Sequence, residues 1–120
     1  MPENDVLQSH ITELRRGSLT LAVLGCLREA CYGYALLQAL QEKGVSIEAN
    51  TLYPLLRRLE GQGLLTSEWD TAESRPRKYY RISENGHALF AVLLREWQDM
   101  QQLLESIFGK DSENHGQQSD

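Results

Sequence analysis

The sequence predicts a mainly α-helical domain completed by one β-hairpin and a long C-terminal helix. Apolar residues recur at three- and four-residue steps through most of the chain, two β-prone stretches flank a single turn-rich segment, and one apolar stripe near the C-terminus is longer than a small domain can cover. The length of 120 residues and mass of 13.7 kDa suit one domain and leave no room for a separate catalytic one. Hydrophobic residues at 41% and charged residues at 24% are ordinary for a chain that folds. A chain of this size buries only about two-thirds of its extended surface, so an uncovered apolar stripe points to a second copy.

Val6, Leu7, His10, Ile11 and Leu14 follow Asn4 or Asp5 as a cap and predict a short amphipathic helix ending near Gly17. Ser18 then caps a second helix through Leu19, Leu21, Ala22, Leu24, Cys26 and Leu27, apolar on nearly every face and therefore central to the core. Cys31-Tyr32-Gly33 interrupts it. A third helix through Ala35, Leu36, Leu37 and Leu40 stops at Gly44, and a fourth, capped by Asn50, turns Leu52, Leu55, Leu56 and Leu59 inward and ends at Gly61 and Gly63. Pro54 fits there as a first-turn residue. Residues 64–70 and 77–82 form the hairpin, with a loop longer than most hairpins carry. Ser83 caps the last helix, whose roughly 25 residues to Phe108 span about 37 Å. Along it Leu89, Leu93, Trp97, Met100, Leu104 and Ile107 step by threes and fours, close to a coiled-coil seam. This stripe, with the Val6, Leu7, Ile11 and Leu14 face, is the expected dimer interface. After Gly109 the polar tail is expected to be disordered.

Charge narrows the function. The net charge of -5 argues alone against a polyanionic partner, yet the charges are segregated. Ten Lys and Arg face seven acids between Leu14 and Arg81, a net of +3, while the two ends carry the acid. On the fourth helix the outward positions Thr51, Tyr53, Pro54, Arg57, Arg58 and Glu60 place small hydrogen-bonding groups at the N-terminal end and paired arginines one turn later. A helix N-terminus offers N–H groups and a positive dipole to phosphate, and Arg bonds guanine edges in bidentate fashion. Arg75, Arg77 and Lys78 bring three cations within four residues at the hairpin tip. Strand alternation puts Arg77, Tyr79 and Arg81 on one face and Lys78, Tyr80 and Ile82 on the other. An arginine pair or a basic turn alone is commonly only solvated surface; together, after three core helices, they describe a winged helix-turn-helix that places one helix in a groove and the hairpin beside it. The implied division is an N-terminal helix over 1–16, the winged domain over 17–82, a dimerisation helix over 83–108 and a tail over 109–120.

Tyr32-Gly33-Tyr34-Ala35-Leu36, then residues 50–60 reading NTLYPLLRRLE, then Gly63-Leu64-Leu65 and Pro76-Arg77-Lys78-Tyr79-Tyr80-Arg81, resemble the signature blocks of the PadR family of bacterial transcription regulators. Four blocks in order, from about Leu14 to Trp97, make a specific match. The resemblance implies a homodimer formed through the C-terminal helix, binding to a palindromic double-stranded operator, and repression relieved by small aromatic or drug-like ligands. It places Tyr34, Asn50, Thr51, Tyr53, Arg57, Arg58, Arg75, Arg77 and Lys78 at the DNA. The single long last helix is similar to that of a multidrug-sensing subgroup in which a Trp faces its symmetry mate, which implies a planar aromatic effector at Trp97 with Leu93 and Met100.

Other classes are disfavoured. Cys26 and Cys31 match no zinc or redox spacing, the histidines at 10, 87 and 115 are scattered, and no metal or cofactor is expected. No nucleophile with a base, and no carboxylate pair, falls on a common site, so catalysis is not expected. The acidic start and the lack of a long apolar run suggest the cytosol and no membrane. Two alternatives stand beside the ligand-relieved repressor: a regulator without a ligand, and a winged helix that docks proteins.

Overall fold

The computed structural model describes residues 4–109. The order of elements is α1 (Asn4–Cys26), β1 (Cys31–Tyr32), α2 (Gly33–Glu42), α3 (Ala49–Gly61), β2 (Leu65–Asp70), β3 (Arg77–Ile82) and α4 (Glu84–Leu104), the last extended by one turn of π-helix over Glu105–Gly109. Two compact units form, one reaching Phe90 and one beginning at Ala91. The polar tail expected after Gly109 lies outside the described residues.

The first unit is built on leucines at helical spacing. Val23 and Leu24 from the end of α1 with Leu27 just past it, Leu36, Leu37 and Leu40 from α2, and Leu52, Leu55, Leu56 and Leu59 from α3 are all buried, joined by Ile47, Leu65, Tyr80 and Ile82. No polar or charged residue is buried among the described residues. Both core helices end the same way. Gly44 at φ 95 donates to the Gln41 carbonyl while Val45 donates to Leu40, and Gly63 at φ 78 donates to Glu60 while Leu64 donates to Leu59. Glycine takes the left-handed closing conformation without a Cβ penalty, so both stops were readable.

Five expectations are corrected. The boundary at residues 16 and 17 is not a helix end, because α1 runs unbroken through Gly17, whose one-residue cost of about 1 kcal/mol is too small to stop a helix flanked by good formers. Ser18 caps nothing and instead donates its hydroxyl to the Arg15 carbonyl. Asn50 is not the cap of α3: Glu48 occupies that position in extended conformation, without a side-chain cap bond, and Asn50 lies inside the first turn. Pro54 consequently sits in the second turn and offers no N–H to the exposed Asn50 carbonyl four residues back. The interruption at Cys31-Tyr32 is a third strand, paired antiparallel with β3 through Cys31↔Tyr80 and Tyr32↔Tyr79, so the sheet order is β1-β3-β2.

The hairpin pairs from Leu65↔Ile82 to Asp70↔Arg77, with residues 71–76 as its loop. Its base is fixed by backbone bonds: Ile82 N–H to the Leu27 carbonyl at 2.8 Å and Ser83 N–H to the Leu64 carbonyl at 3.0 Å. Ser83 caps α4 as expected, accepting from Gly86 N–H at 3.0 Å while its hydroxyl donates to Gly63 at 2.7 Å. In the second unit Val92, Trp97, Met100, Leu103, Leu104 and Ile107 are exposed, and Leu93 is half-buried.

Candidate nucleic-acid interface

With its four leucines turned inward, α3 presents Asn50, Thr51, Pro54, Arg57 and Arg58 to solvent. Neither arginine forms an ion pair among the described residues. Tyr53 is half-buried because α2 begins against it. A Cβ at Gly33 would lie 2.7 Å from the Tyr53 Cε1, so the approach of the two helices requires glycine there. Burial, with smaller contributions from Tyr80 and Tyr34, pushes the Tyr53 hydroxyl above its ordinary value and keeps it a neutral donor.

The wing stands beside this helix. Trp69, Lys78 and Tyr80 share the sheet face turned to α3, with Trp69 directly opposite Lys78 in the ladder. Lys78 Nζ lies 3.5 Å from a Glu60 carboxylate oxygen of α3, and 5.9 Å and 5.4 Å from the Trp69 and Tyr80 ring centroids. Arg77 on the opposite face lies 4.1 Å over the Tyr32 ring and 4.0 Å from Glu73. Arg75 is exposed in the loop without an ion pair among the described residues. A groove of about 230 Å³ runs between these parts, lined by Tyr34, Tyr53, Trp69, Arg77, Lys78 and neighbouring aromatics.

Of the sequence-predicted residues, Tyr34, Tyr53, Arg77 and Lys78 therefore meet in one groove. Thr51 instead faces a cavity of about 440 Å³ with Arg15, Ser18 and Ser46. Trp97, Leu93 and Met100 belong to the second unit. Three contacts are not legible in the sequence: Trp69, 63% exposed at the groove; the hold of Glu60, expected only as an outward position of the helix, on both wing strands; and the Tyr32 hydroxyl, which donates to Asp70 at 2.5 Å. Trp69 is placed by the hairpin register that sets it opposite Lys78, and no local signal joins Glu60 or Tyr32 to the strands they touch.

Other chemistry has little support. Among the described residues no group of three or more His, Cys, Asp or Glu could hold a metal ion, and no helix is long and apolar enough to cross a membrane. Burial, and then Cys26, pushes the Cys31 thiol up, away from nucleophilic reactivity.

Three helices with a wing, and a solvent-facing helix whose two arginines form no ion pair among the described residues, define a winged helix-turn-helix protein. The model of the PadR-like family of transcriptional regulators matches residues 21–92, and the chain belongs to that family. Its members regulate transcription by binding DNA and are not enzymes. The chain is 31% identical to the transcriptional regulator Rv3488 of Mycobacterium tuberculosis, over 87% of this chain and 95% of that protein. The crystal structure of a PadR family transcriptional regulator from Eggerthella lenta is similar at a TM-score of 0.80 and 48% identity, covering 87% of this chain and 93% of that one. A Streptococcus transcriptional regulator gives a TM-score of 0.72 at 32% identity, covering 80% and 97%.

Proposed function

We propose that the protein is a homodimeric, sequence-specific regulator of the cytoplasm that represses promoters by placing α3 in the major groove of a palindromic operator, with the wing tip on the adjoining phosphates or in the minor groove. The observation that carries this reading is the outer face of α3. Arg57 and Arg58 stand exposed without an ion pair among the described residues, about one turn beyond Tyr53 and two beyond Asn50 and Thr51, in the same compact unit as the Arg75 to Lys78 segment. In this assignment Tyr34, Asn50 and Thr51 contact phosphate near the helix N-termini, Arg57 and Arg58 read base edges, and Arg75 and Arg77 reach the backbone beside them. Residues 17–82 carry DNA binding, residues 83–108 dimerise, and the segment before Gly17 adds Val6, Leu7, Ile11 and Leu14 to the interface although α1 does not break there. Leu89, Leu93, Trp97, Met100, Leu104 and Ile107 supply the helical seam. Repression is relieved when a planar aromatic molecule stacks on Trp97 beside Leu93 and Met100. The exposure of Trp97 at 49% in a single chain supports this role.

The test is a duplex selected on the parent protein from a randomised library. Arg57→Ala is expected to lose about 1 to 3 kcal/mol at one base position and to relax preference there, while binding to competitor DNA changes little. Equal binding of parent and variant to every duplex places the reading surface elsewhere. Loss of all preference in the parent itself favours a protein-docking module.

A further inference from the structure

We infer that Glu60 is a positioning residue for DNA binding, a latch that fixes the wing to α3 and masks Lys78 until a phosphate takes its place. The inference rests on the DNA reading of α3 and the wing. The two oxygens of one carboxylate serve different strands: Oε2 accepts from the Ser67 hydroxyl of β2 at 2.5 Å, and Oε1 lies 3.5 Å from Lys78 Nζ of β3. The Lys78 and Glu60 side chains are only 30% and 34% exposed, so this pair is screened less than one in open water. Lys78 is further held near the Trp69 and Tyr80 rings, whereas Arg57, Arg58 and Arg75 have no acid among the described residues.

The position is otherwise a poor one for an acid. Glu60 lies in the last turn of α3, where the helix dipole disfavours negative charge, and beside a surface that must approach a polyanion. Holding both strands of the wing offsets these costs and gives them a use. A lysine already neutralised releases fewer counterions on meeting DNA, so the wing attracts arbitrary sequence weakly. On a fitting operator the backbone is brought close enough for phosphate to replace the carboxylate.

The experiment compares salt titrations of the full chain on the selected duplex and on poly(dI-dC). Lys78→Ala is expected to flatten the salt slope by well under one unit in the parent but by about one unit in a Glu60→Gln background, where the lysine is unmasked. Glu60→Gln should also raise affinity for poly(dI-dC) about threefold or more and narrow the margin over it. A full-unit change for Lys78→Ala in the parent, or a Glu60→Gln protein with the parent's slope and margin, overturns the masking. Amide hydrogen exchange without DNA tests the latch separately: Glu60→Ala should accelerate exchange in β2 and β3 about tenfold, and unchanged exchange overturns it. If the parent recovers no preferred duplex, the DNA reading fails while the exchange result still decides the latch.

Discussion

Tyr32 stands at the start of α2 and reaches across β3 to Asp70 on β2, so a single hydroxyl braces all three strands. The bond is mutual in its effect. Donation from Tyr32, then from the Ala72 N–H, holds the Asp70 carboxyl below the ordinary carboxylate range, and the same bond raises the Tyr32 hydroxyl above its usual value. Because the folded Asp70 titrates lower than the unfolded one, its contribution to stability is intact above about pH 3.9 and is lost as pH falls through the folded value. Tyr32 has the opposite sign: its contribution holds below about pH 10 and is lost as pH rises through its raised folded value. Tyr32→Phe should return the Asp70 carboxyl resonance, followed by ¹³C titration, towards the ordinary range; an unmoved midpoint would remove the brace. The sequence showed neither partner of this pair. A two-residue strand has no alternation to read, and the bond joins residues 38 apart, a pairing that only the sheet register supplies.

Elements were legible where their chemistry is local. The leucine spacing of α2 and α3, the closing glycines at 44 and 63 and the Ser83 cap each follow from a few adjacent residues. Gly17 misled because a glycine stops a helix only where the chain also turns left-handed, and α1 has no such turn there. The candidate site divided in the same way. Helical phase places Arg57, Arg58 and Glu60 on the outer face, while the wing contacts of Glu60 and the position of Trp69 depend on how β2 and β3 pack against α3. Close approaches between elements are equally invisible in a sequence and give a sharp contrast between two glycines. A Cβ at Gly86 would lie 2.1 Å from the Leu64 carbonyl oxygen, where backbone of the α3–β2 junction meets the start of α4. Gly86→Ala is therefore expected to cost about 1 to 3 kcal/mol or more in urea denaturation. At Gly61, inside α3, nothing lies within 4 Å, and Gly61→Ala should stabilise by about 0.4 to 1 kcal/mol by restricting the unfolded chain. Equal effects at the two positions would contradict the packing at Gly86.

Across the whole molecule, apolar surface and charge are both distributed unevenly. Leu14 is 79% exposed and Val6, Trp97, Met100, Leu104 and Ile107 are also exposed, more large apolar side chains than scattered surface positions normally account for. A second copy covers them in the proposed assembly, and the basic middle of each chain, net +3, is then presented twice to one duplex. Two linked half-site contacts bind far more tightly than one, by about 10² to 10⁴ when the spacing fits. Leu104→Glu places a charge in the proposed seam, in the unit that does not contain α3. Sedimentation at micromolar concentration should give a dimer for the parent and a monomer for the variant. The variant should keep its helical circular dichroism yet lose about 10²-fold or more in affinity for the full palindrome, while a half-site duplex binds both proteins alike. The same preparation tests the effector, since a molecule held between two copies of Trp97 has no site on a monomer. In a Trp69→Phe background, planar aromatic dyes and phenolic acids should quench Trp97 in the dimer and lower operator affinity by a coupling of about 1 to 3 kcal/mol, and do neither after Leu104→Glu. A monomeric parent, or quenching that persists unchanged in the monomer, would separate Trp97 from assembly, and quenching that leaves operator affinity unchanged would leave a regulator whose occupancy of DNA follows its concentration alone.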